Sequence, residues 1–180
     1  MAEPKPWTVD HTETVADCRV FTVEGRDSHR ADGLQSRFFG LQSPDWVNVI
    51  AVTEDDRIVM IRQWRHGIAG SILEIPGGMV DEGEDPQVAA ARELYEETGY
   101  RAARWTKLGG VNPNPALFSN RLHSYLAEGC THEGSGDADP HEETLVELYD
   151  RAAVDELMAA GKIDHALVLA AFLWWRLRGP

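Results

Sequence analysis

The chain has 180 residues, of which 43% are hydrophobic and 26% charged, a composition typical of one globular domain with a packed core. Its net charge of −13 excludes sequence-blind binding to nucleic acid, because such binding needs basic patches that neutralise phosphates. No apolar run is long enough to span a bilayer and MAEPKPWTVD is no signal peptide, so we expect a cytoplasmic protein with no membrane partner.

Alternating apolar and polar side chains predict the strands of the first half. Residues 18–24 form the first predicted strand, and residues 45–53 and 57–64 form two more around an acidic turn. A short strand at residues 71–75 ends at the turn Pro76-Gly77-Gly78, which contains two strand-breaking residue types.

A helix is predicted over residues 86–98. Asp85 is a suitable N-cap, Pro86 suits the first turn, and Gly99 suits the C-terminal stop. We expect the side of the helix formed by Val88, Ala91, Leu94 and Tyr95 to be buried.

In the second half of the chain, the pattern of apolar residues predicts strands at residues 105–111, 122–127 and 144–149 and helices at residues 154–160 and 164–178. A proline-rich loop, residues 112–115, separates the first two strands, and residues 129–140 are expected to form a flexible, acidic loop. Strands that alternate with a few helices indicate a mixed α/β layered domain.

Three carboxylates share one face of the predicted helix. Glu93, Glu96 and Glu97 fall in one sector at about 100° per residue, although like charges at this spacing weaken a helix and its C-terminal half disfavours anions. A bound divalent cation would compensate, since carboxylates are preferred ligands of Mg²⁺ and Mn²⁺. A solvated helix face is the alternative. Arg92 is expected to hold a carboxylate through a bidentate pair, with Glu84 as the candidate partner.

The segment GMVDEGEDPQVAAARELYEETGY, which starts at Gly78, resembles the signature of the Nudix hydrolases, G-x5-E-x7-R-E-U-x-E-E-x-G-U, where U is a bulky apolar residue. Chance agreement at its fixed positions is on the order of one in 10⁸ if each residue type has a frequency of about 7%. The matching residues are Gly78, Glu84, Arg92, Glu93, Leu94, Glu96, Glu97 and Gly99. Tyr100 stands at the last apolar position, where an aliphatic residue is commoner.

This resemblance implies the Nudix α/β/α sandwich, with a mixed β-sheet between helices and, here, an N-terminal β extension. It implies that Glu93 and Glu97 bind Mg²⁺, or Mn²⁺ in its place, while Glu96 assists and the Gly77 carbonyl contributes. Arg92 and Glu84 would orient the site.

Two further segments resemble the branch that contains ADP-ribose and nucleoside-diphosphate-sugar pyrophosphatases. In the first, RQWR leads into LEIPGG, and Arg65 would meet the distal phosphate or sugar with Glu74 nearby; an exposed arginine without a role is the alternative. In the second, the loop NPNPA is followed by SNR, and it resembles relatives that hydrolyse nucleotide sugars broadly. Its candidate substrate contacts are Asn114, Pro115, Asn120 and Arg121.

The resemblance implies hydrolysis of the diphosphate bond of ADP-ribose, GDP-mannose, UDP-glucose or ADP-glucose to a nucleoside monophosphate and a sugar phosphate. Trp46 would stack on the base, or else belong to the core. The water-activating base would be Glu143 or Glu142, with Glu93 of the motif as the alternative, and the loop that precedes them would close over the substrate.

Three other functions stay open: a housecleaning (d)NTP pyrophosphatase, which shares the motif, a hydrolase of dinucleoside polyphosphates or RNA caps, although the acidic charge fits long RNA poorly, and a non-catalytic Nudix-fold sensor that binds nucleotide. The resemblance also implies a homodimer, with residues 1–42 as a strand region for dimerisation and residues 43–180 as the Nudix domain.

Overall fold

A computed structural model describes residues 3–134 and 143–179 of the chain. These residues form two compact units, Met1–Pro44 with Asn112–Arg121, and Asp45–Val111 with Leu122–Pro180. The strands are β1 (Trp7–Asp17), β2 (Thr22–Arg30), β3 (Gln35–Gln42), β4 (Trp46–Thr53), β5 (Arg57–Arg65), β6 (Gly70–Glu74), β7 (Gly77–Met79), β8 (Tyr100–Arg101), β9 (Arg104–Val111), β10 (Leu122–His132) and β11 (Thr144–Asp150). The helices are α1 (Pro86–Thr98), α2 (Arg151–Ala159) and α3 (Ala166–Leu177).

The second unit is built on a mixed sheet with the strand order β11-β5-β4-β10-β8. Strands β4 and β10 run parallel, whereas the other pairs are antiparallel. The strands β6, β7 and β9 pair with β5, β4 and β10 respectively. A parallel pair needs a crossover connection, and the chain between β4 and β10 supplies it with α1.

Both faces of this sheet are buried, and β4 contributes to each. Its side chains alternate between the faces, so that Val49 and Ala51 pack on the side of α1, and Ile50 and Val52 pack on the side of α2 and α3. The second unit is therefore an α/β/α sandwich, as the resemblance implied.

Helix α1 has the predicted ends. The Asp85 side chain accepts a hydrogen bond of 2.8 Å from the Gln87 N–H, and Pro86 occupies the first turn. Gly99 has a φ of 71°, in the left-handed region that glycine adopts without a steric penalty, and its N–H donates to the Tyr95 carbonyl over 2.7 Å.

The predicted buried side of α1 was wrong, although Leu94 is buried as expected. The buried residues are Ala89, Ala90, Leu94 and Thr98, whereas Val88 is 59% exposed. At about 100° per residue, Glu93 and Glu97 fall in the same sector as Ala89 and Ala90. The carboxylates therefore point toward the protein interior, and the explanation of a solvated helix face does not hold for these two.

The first unit contains the antiparallel sheet β1-β2-β3. The segment Asn112–Arg121 lies along the end of β3, where the Leu41 N–H donates to the Leu117 carbonyl over 2.7 Å. The Asn120 side chain donates to the Pro44 carbonyl over 2.8 Å, which holds the segment to the end of the first unit.

Two sequence predictions about local structure were wrong. Residues 18–21 form the turn between β1 and β2, with the Cys18 N–H bonded to the Phe21 carbonyl, rather than the start of a strand. The loop predicted from Gly129 begins later, because β10 continues to His132 past a register shift at Gly129, whose φ is 64°. Residues 135–140 of that loop lie outside the described residues.

In the part of the chain that the structure describes, no helix combines the length and apolar character needed to cross a membrane.

Candidate active site

A cavity of about 490 Å³ opens in the second unit, within the size range of small-molecule sites. Its wall is formed by β4, β5, β6 and β7, by α1 and by the beginning of α3. Eight residues singled out in the sequence line it: Trp46, Arg65, Glu74, Gly77, Gly78, Arg92, Glu93 and Glu97.

Arg92 organises the carboxylates of this wall. Its guanidinium donates to both oxygens of Glu84 over 3.1 and 2.9 Å, so the pair expected from the sequence is present. It also donates to Glu93 over 2.8 Å and to Glu96 over 3.1 Å. The arginine thus offsets repulsion among the acidic groups and fixes their positions.

These hydrogen bonds shift the protonation equilibria of the pair. The bond to Glu84 is the main reason why the pKa of Arg92 lies well above its usual range. The bond from Arg92 likewise lowers the pKa of Glu84 below its ordinary value. Both groups are therefore charged at neutral pH, and the pair persists under physiological conditions.

Gly77 and Gly78, which the sequence assigned to a turn, begin strand β7 and allow backbone and carboxylates to approach closely. The Gly77 N–H donates to Glu97 Oε2 over 2.8 Å. A β-carbon at position 78 would overlap the Glu93 carboxylate, and one at position 77 would overlap the Val47 carbonyl. Any larger residue at position 78 would displace Glu93 from this wall.

The residues expected to bind metal do not form a ready-made coordination site. Among residues 3–134 and 143–179, no group of three or more His, Cys, Asp or Glu side chains is arranged to hold a metal ion. Glu93 and Glu96 are bonded to Arg92, and Glu97 is bonded to the Gly77 N–H. The oxygen donors nevertheless fit a hard divalent cation in their chemistry, and Glu93 and Glu97 face the cavity.

Arg65 lies at the rim of the cavity and is held by a buried carboxylate. It donates to both oxygens of Glu74 over 2.8 and 2.6 Å. Glu74 is 3% exposed, whereas the Arg65 side chain is 42% exposed. Glu74 therefore fixes the direction of Arg65, whose charged group stays accessible to a bound anion.

Four polar residues in the cavity wall were missed in the sequence: Asn48, Gln63, Asp81 and His165. Asn48 interrupts the apolar, buried run of β4, a signal that could have identified it. Gln63 lies at the polar end of β5, between Arg62 and the exposed Trp64, and has no such signal. His165 precedes α3, and nothing in its local sequence pattern marks it.

The other predicted site residues lie elsewhere. Asn114, Pro115, Asn120 and Arg121 belong to the first unit, whereas the residues that line the cavity belong to the second. Glu143 is exposed and does not line the cavity, but the adjacent Thr144 donates its hydroxyl to the Glu97 carbonyl over 3.0 Å. Glu142 lies outside the described residues.

Comparison with known proteins gives consistent matches. The model of the NUDIX domain family matches residues 44–172. The chain is 34% identical to the methanol dehydrogenase activator of Bacillus methanolicus over 139 residues, which cover 77% of this chain and 75% of that protein.

It is also 34% identical to the ADP-ribose pyrophosphatase of Bacillus subtilis (strain 168) over 116 residues, which cover 64% of this chain and 63% of that protein. The solved structure of an ADP compounds hydrolase superposes with a TM-score of 0.85 and 26% identity, and the match covers 98% of this chain and 95% of that chain.

Proposed function

Since the chain belongs to the NUDIX family and is a Nudix hydrolase, we propose that it hydrolyses the diphosphate bond of ADP-ribose and related nucleoside diphosphate sugars. The products are a nucleoside monophosphate and a sugar phosphate, and the metal is Mg²⁺. The observation that carries the proposal is the arrangement of Glu93 and Glu97 along one cavity wall, organised by Arg92 and facing the same space as Arg65.

The substrate class draws support from the relatives. One of them is an ADP-ribose pyrophosphatase, and the structural neighbour is an ADP compounds hydrolase. Both names specify a nucleotide in which ADP is joined to another group. GDP-mannose, UDP-glucose and ADP-glucose extend this class, and a preference among them depends on the walls of the cavity.

Glu93, Glu97 and the Gly77 carbonyl would hold the metal, with Glu96 assisting. Bound there, Mg²⁺ would neutralise diphosphate charge and lower the pKa of a coordinated water. The carboxylates must then exchange part of their bonding to Arg92 and to the Gly77 N–H for the cation. Arg92 would keep Glu93 oriented through its unchanged bonds to Glu84.

The chain offers a base for water activation beside α1. Glu143 is next to Thr144, whose bond to the Glu97 carbonyl places this part of the chain at the C-terminal end of the helix. We propose that Glu143 takes the proton of the attacking water, with Glu142 or Glu93 as the alternatives.

The substrate would lie between Arg65 and the metal that Glu93 and Glu97 would hold. Arg65, with its direction fixed by Glu74, would bind the distal phosphate. Trp46 lines the cavity and would stack on the base, because an aromatic face accepts any nucleobase. Asn114, Pro115, Asn120 and Arg121 stay proposed contacts of the substrate.

We further propose that the protein is a cytoplasmic homodimer that joins through residues 1–42. Strands β1 and β3 carry exposed apolar side chains, among them Val9, Val15, Phe38 and Phe39, and such a surface is typical of an interaction site. Light scattering should give twice the mass of the chain, and a monomeric mass at micromolar concentration would contradict the dimer.

A substrate panel tests the proposed reaction. The protein is incubated with Mg²⁺ and ADP-ribose, ADP-glucose, GDP-mannose, UDP-glucose or dNTPs, and the products are separated by chromatography. We expect nucleoside monophosphate from the diphosphate sugars. Pyrophosphate from dNTPs alone would instead identify a housecleaning pyrophosphatase, and bound nucleotide without turnover would identify a sensor.

A further inference from the structure

Three buried polar atoms in the cavity wall have no hydrogen-bond partner within the described part of the chain. They are Asn48 Oδ1, Gln63 Oε1 and His165 Nδ1. Asn48 is 5% exposed and Gln63 is 6% exposed. Because most buried polar groups in proteins are paired, their concentration along one cavity points to a ligand that pairs with them.

The orientation of the Asn48 side chain is set by a second contact. Its Nδ2 donates to the Leu167 carbonyl over 3.0 Å, which joins β4 to the beginning of α3. A carboxamide has one NH₂ donor group and one oxygen acceptor. If the Asn48 carboxamide were turned over, its oxygen would face the oxygen of the Leu167 carbonyl. The acceptor is therefore the group of Asn48 that is left without a partner.

The acceptors identify the chemistry of the ligand group. An ionised phosphate has no hydrogen to donate and would place its oxygens against that of Asn48, whose orientation is fixed by the Leu167 carbonyl. A sugar has hydroxyl groups on neighbouring carbons, and each can donate to a different acceptor. The three groups come from β4, β5 and the start of α3, an arrangement that suits donors on several atoms better than the single N–H edge of a base.

These residues adjoin the reaction site. Asn48 pairs in register with Gly77, whose N–H is bonded to Glu97. Gln63 is two residues from Arg65 on β5 and points to the same face. His165 Nδ1 lies 3.9 Å from the Glu74 carboxylate that holds Arg65.

We infer that Asn48, Gln63 and His165 form a subsite that binds the hydroxyl groups of a substrate sugar. The inference rests on the proposed function, because it assigns the sugar-recognising part of the same cavity. Asn48 and Gln63 accept hydrogen bonds from two hydroxyls, and His165 completes the wall.

Gln63→Met tests the subsite, because methionine keeps a similar length and volume but lacks the amide acceptor. The kcat/KM of each protein is measured with ADP-ribose and with the methyl ester of ADP, which has no terminal sugar. We expect the variant to lose about tenfold or more with ADP-ribose and to keep its activity with the ester. Gln87→Met, on the exposed surface of α1, is the control and should leave both values unchanged.

A third compound, ADP-ribose without the 2′- and 3′-hydroxyls of the adenosine, separates the two sugars. If Gln63→Met lowers kcat/KM with ADP-ribose and with the dideoxy compound but not with the ester, the subsite binds the terminal sugar. If it lowers kcat/KM with ADP-ribose and with the ester but not with the dideoxy compound, the subsite binds the nucleoside ribose. An equal effect on all three compounds, or no effect on any, would overturn the inference.

Failure of the proposed function gives a different result. If the wild-type protein cleaves none of these compounds, the reaction is refuted and the subsite is tested by calorimetric binding of ADP-ribose and of the ester. The subsite is supported if the wild-type protein binds ADP-ribose more tightly than the ester and Gln63→Met does not. Equal affinity of both proteins for ADP-ribose would exclude it.

Discussion

Arg92 binds both oxygens of Glu84 through hydrogen bonds of 3.1 and 2.9 Å, and the same guanidinium reaches Glu93 on the wall of the cavity. Glu84 precedes α1, whereas Arg92 and Glu93 lie within it. The pair therefore connects the loop before the helix to the carboxylates that we propose as metal ligands, and it makes the orientation of those carboxylates sensitive to changes outside the cavity.

Replacing Arg92 with lysine should impair activity more than it impairs folding. Lysine keeps the charge but cannot make the two-pronged contact with Glu84 while it also reaches Glu93. We expect kcat with ADP-ribose to fall about 10–100-fold, with little change in the circular dichroism spectrum. A variant with wild-type kcat would show that the orientation of Glu93 does not depend on Arg92.

Glu84→Gln should lower stability in a pH-dependent way. The pKa of Glu84 is lowered in the folded protein by its bond to Arg92, so its contribution is fully present above the ordinary carboxyl pKa and is lost as pH falls through the lowered value. At neutral pH the substitution should cost about 1–3 kcal/mol. Urea unfolding at several pH values should show the difference from wild type shrinking below about pH 4; a difference independent of pH would contradict the assignment.

Gly78→Ala should disrupt the cavity wall, because a β-carbon there overlaps the Glu93 carboxylate. Displacement of this carboxylate should reduce kcat about 100-fold. The matched control is Gly67→Ala, since a β-carbon at position 67 meets no atom within 4 Å. Comparable losses in the two variants would show that the effect is not specific to Glu93.

Gly99→Ala should destabilise the fold at the end of α1. The residue has a φ of +71°, and a β-carbon there would overlap the Gly134 carbonyl. Gly161 has a similar φ of +65° with nothing within 4 Å, so Gly161→Ala isolates the backbone strain, about 1–2 kcal/mol. Thermal unfolding should show a larger loss for Gly99→Ala than for Gly161→Ala, and equal losses would argue that the overlap is relieved without cost.

The sequence predicted the parts of the fold whose causes are local. Asp85 and Gly99 mark the ends of α1 through their own capping and backbone chemistry. The pair of Glu84 and Arg92 was expected from their opposite charges and from the resemblance. The N-terminal β extension was expected only from the resemblance, and the positions of β1 and β3 were not predicted, because their side chains are mostly exposed and lack the apolar alternation that identifies a half-buried strand. The buried side of α1 was misassigned because Glu93 and Glu97 share the sector that packs inward.

The polar part of the cavity could not be derived in the same way. Asn48, Gln63 and His165 come from three distant segments, and their common surroundings depend on how β4, β5 and α3 meet. A polar residue within an apolar strand indicates that something must be paired there, but it does not specify the partner.

The most direct test of the central claim is product analysis by mass spectrometry with ADP-ribose and Mg²⁺ in H₂¹⁸O. The wild-type protein should form AMP and ribose 5-phosphate in equal amounts, with the label in one of the two products. Chelation of the metal should abolish the formation of these products, and so should Glu97→Gln. The control Glu82→Gln, at an exposed position, should form them as the wild type does. Unchanged product formation by Glu97→Gln would contradict the assignment of the reaction to this cavity.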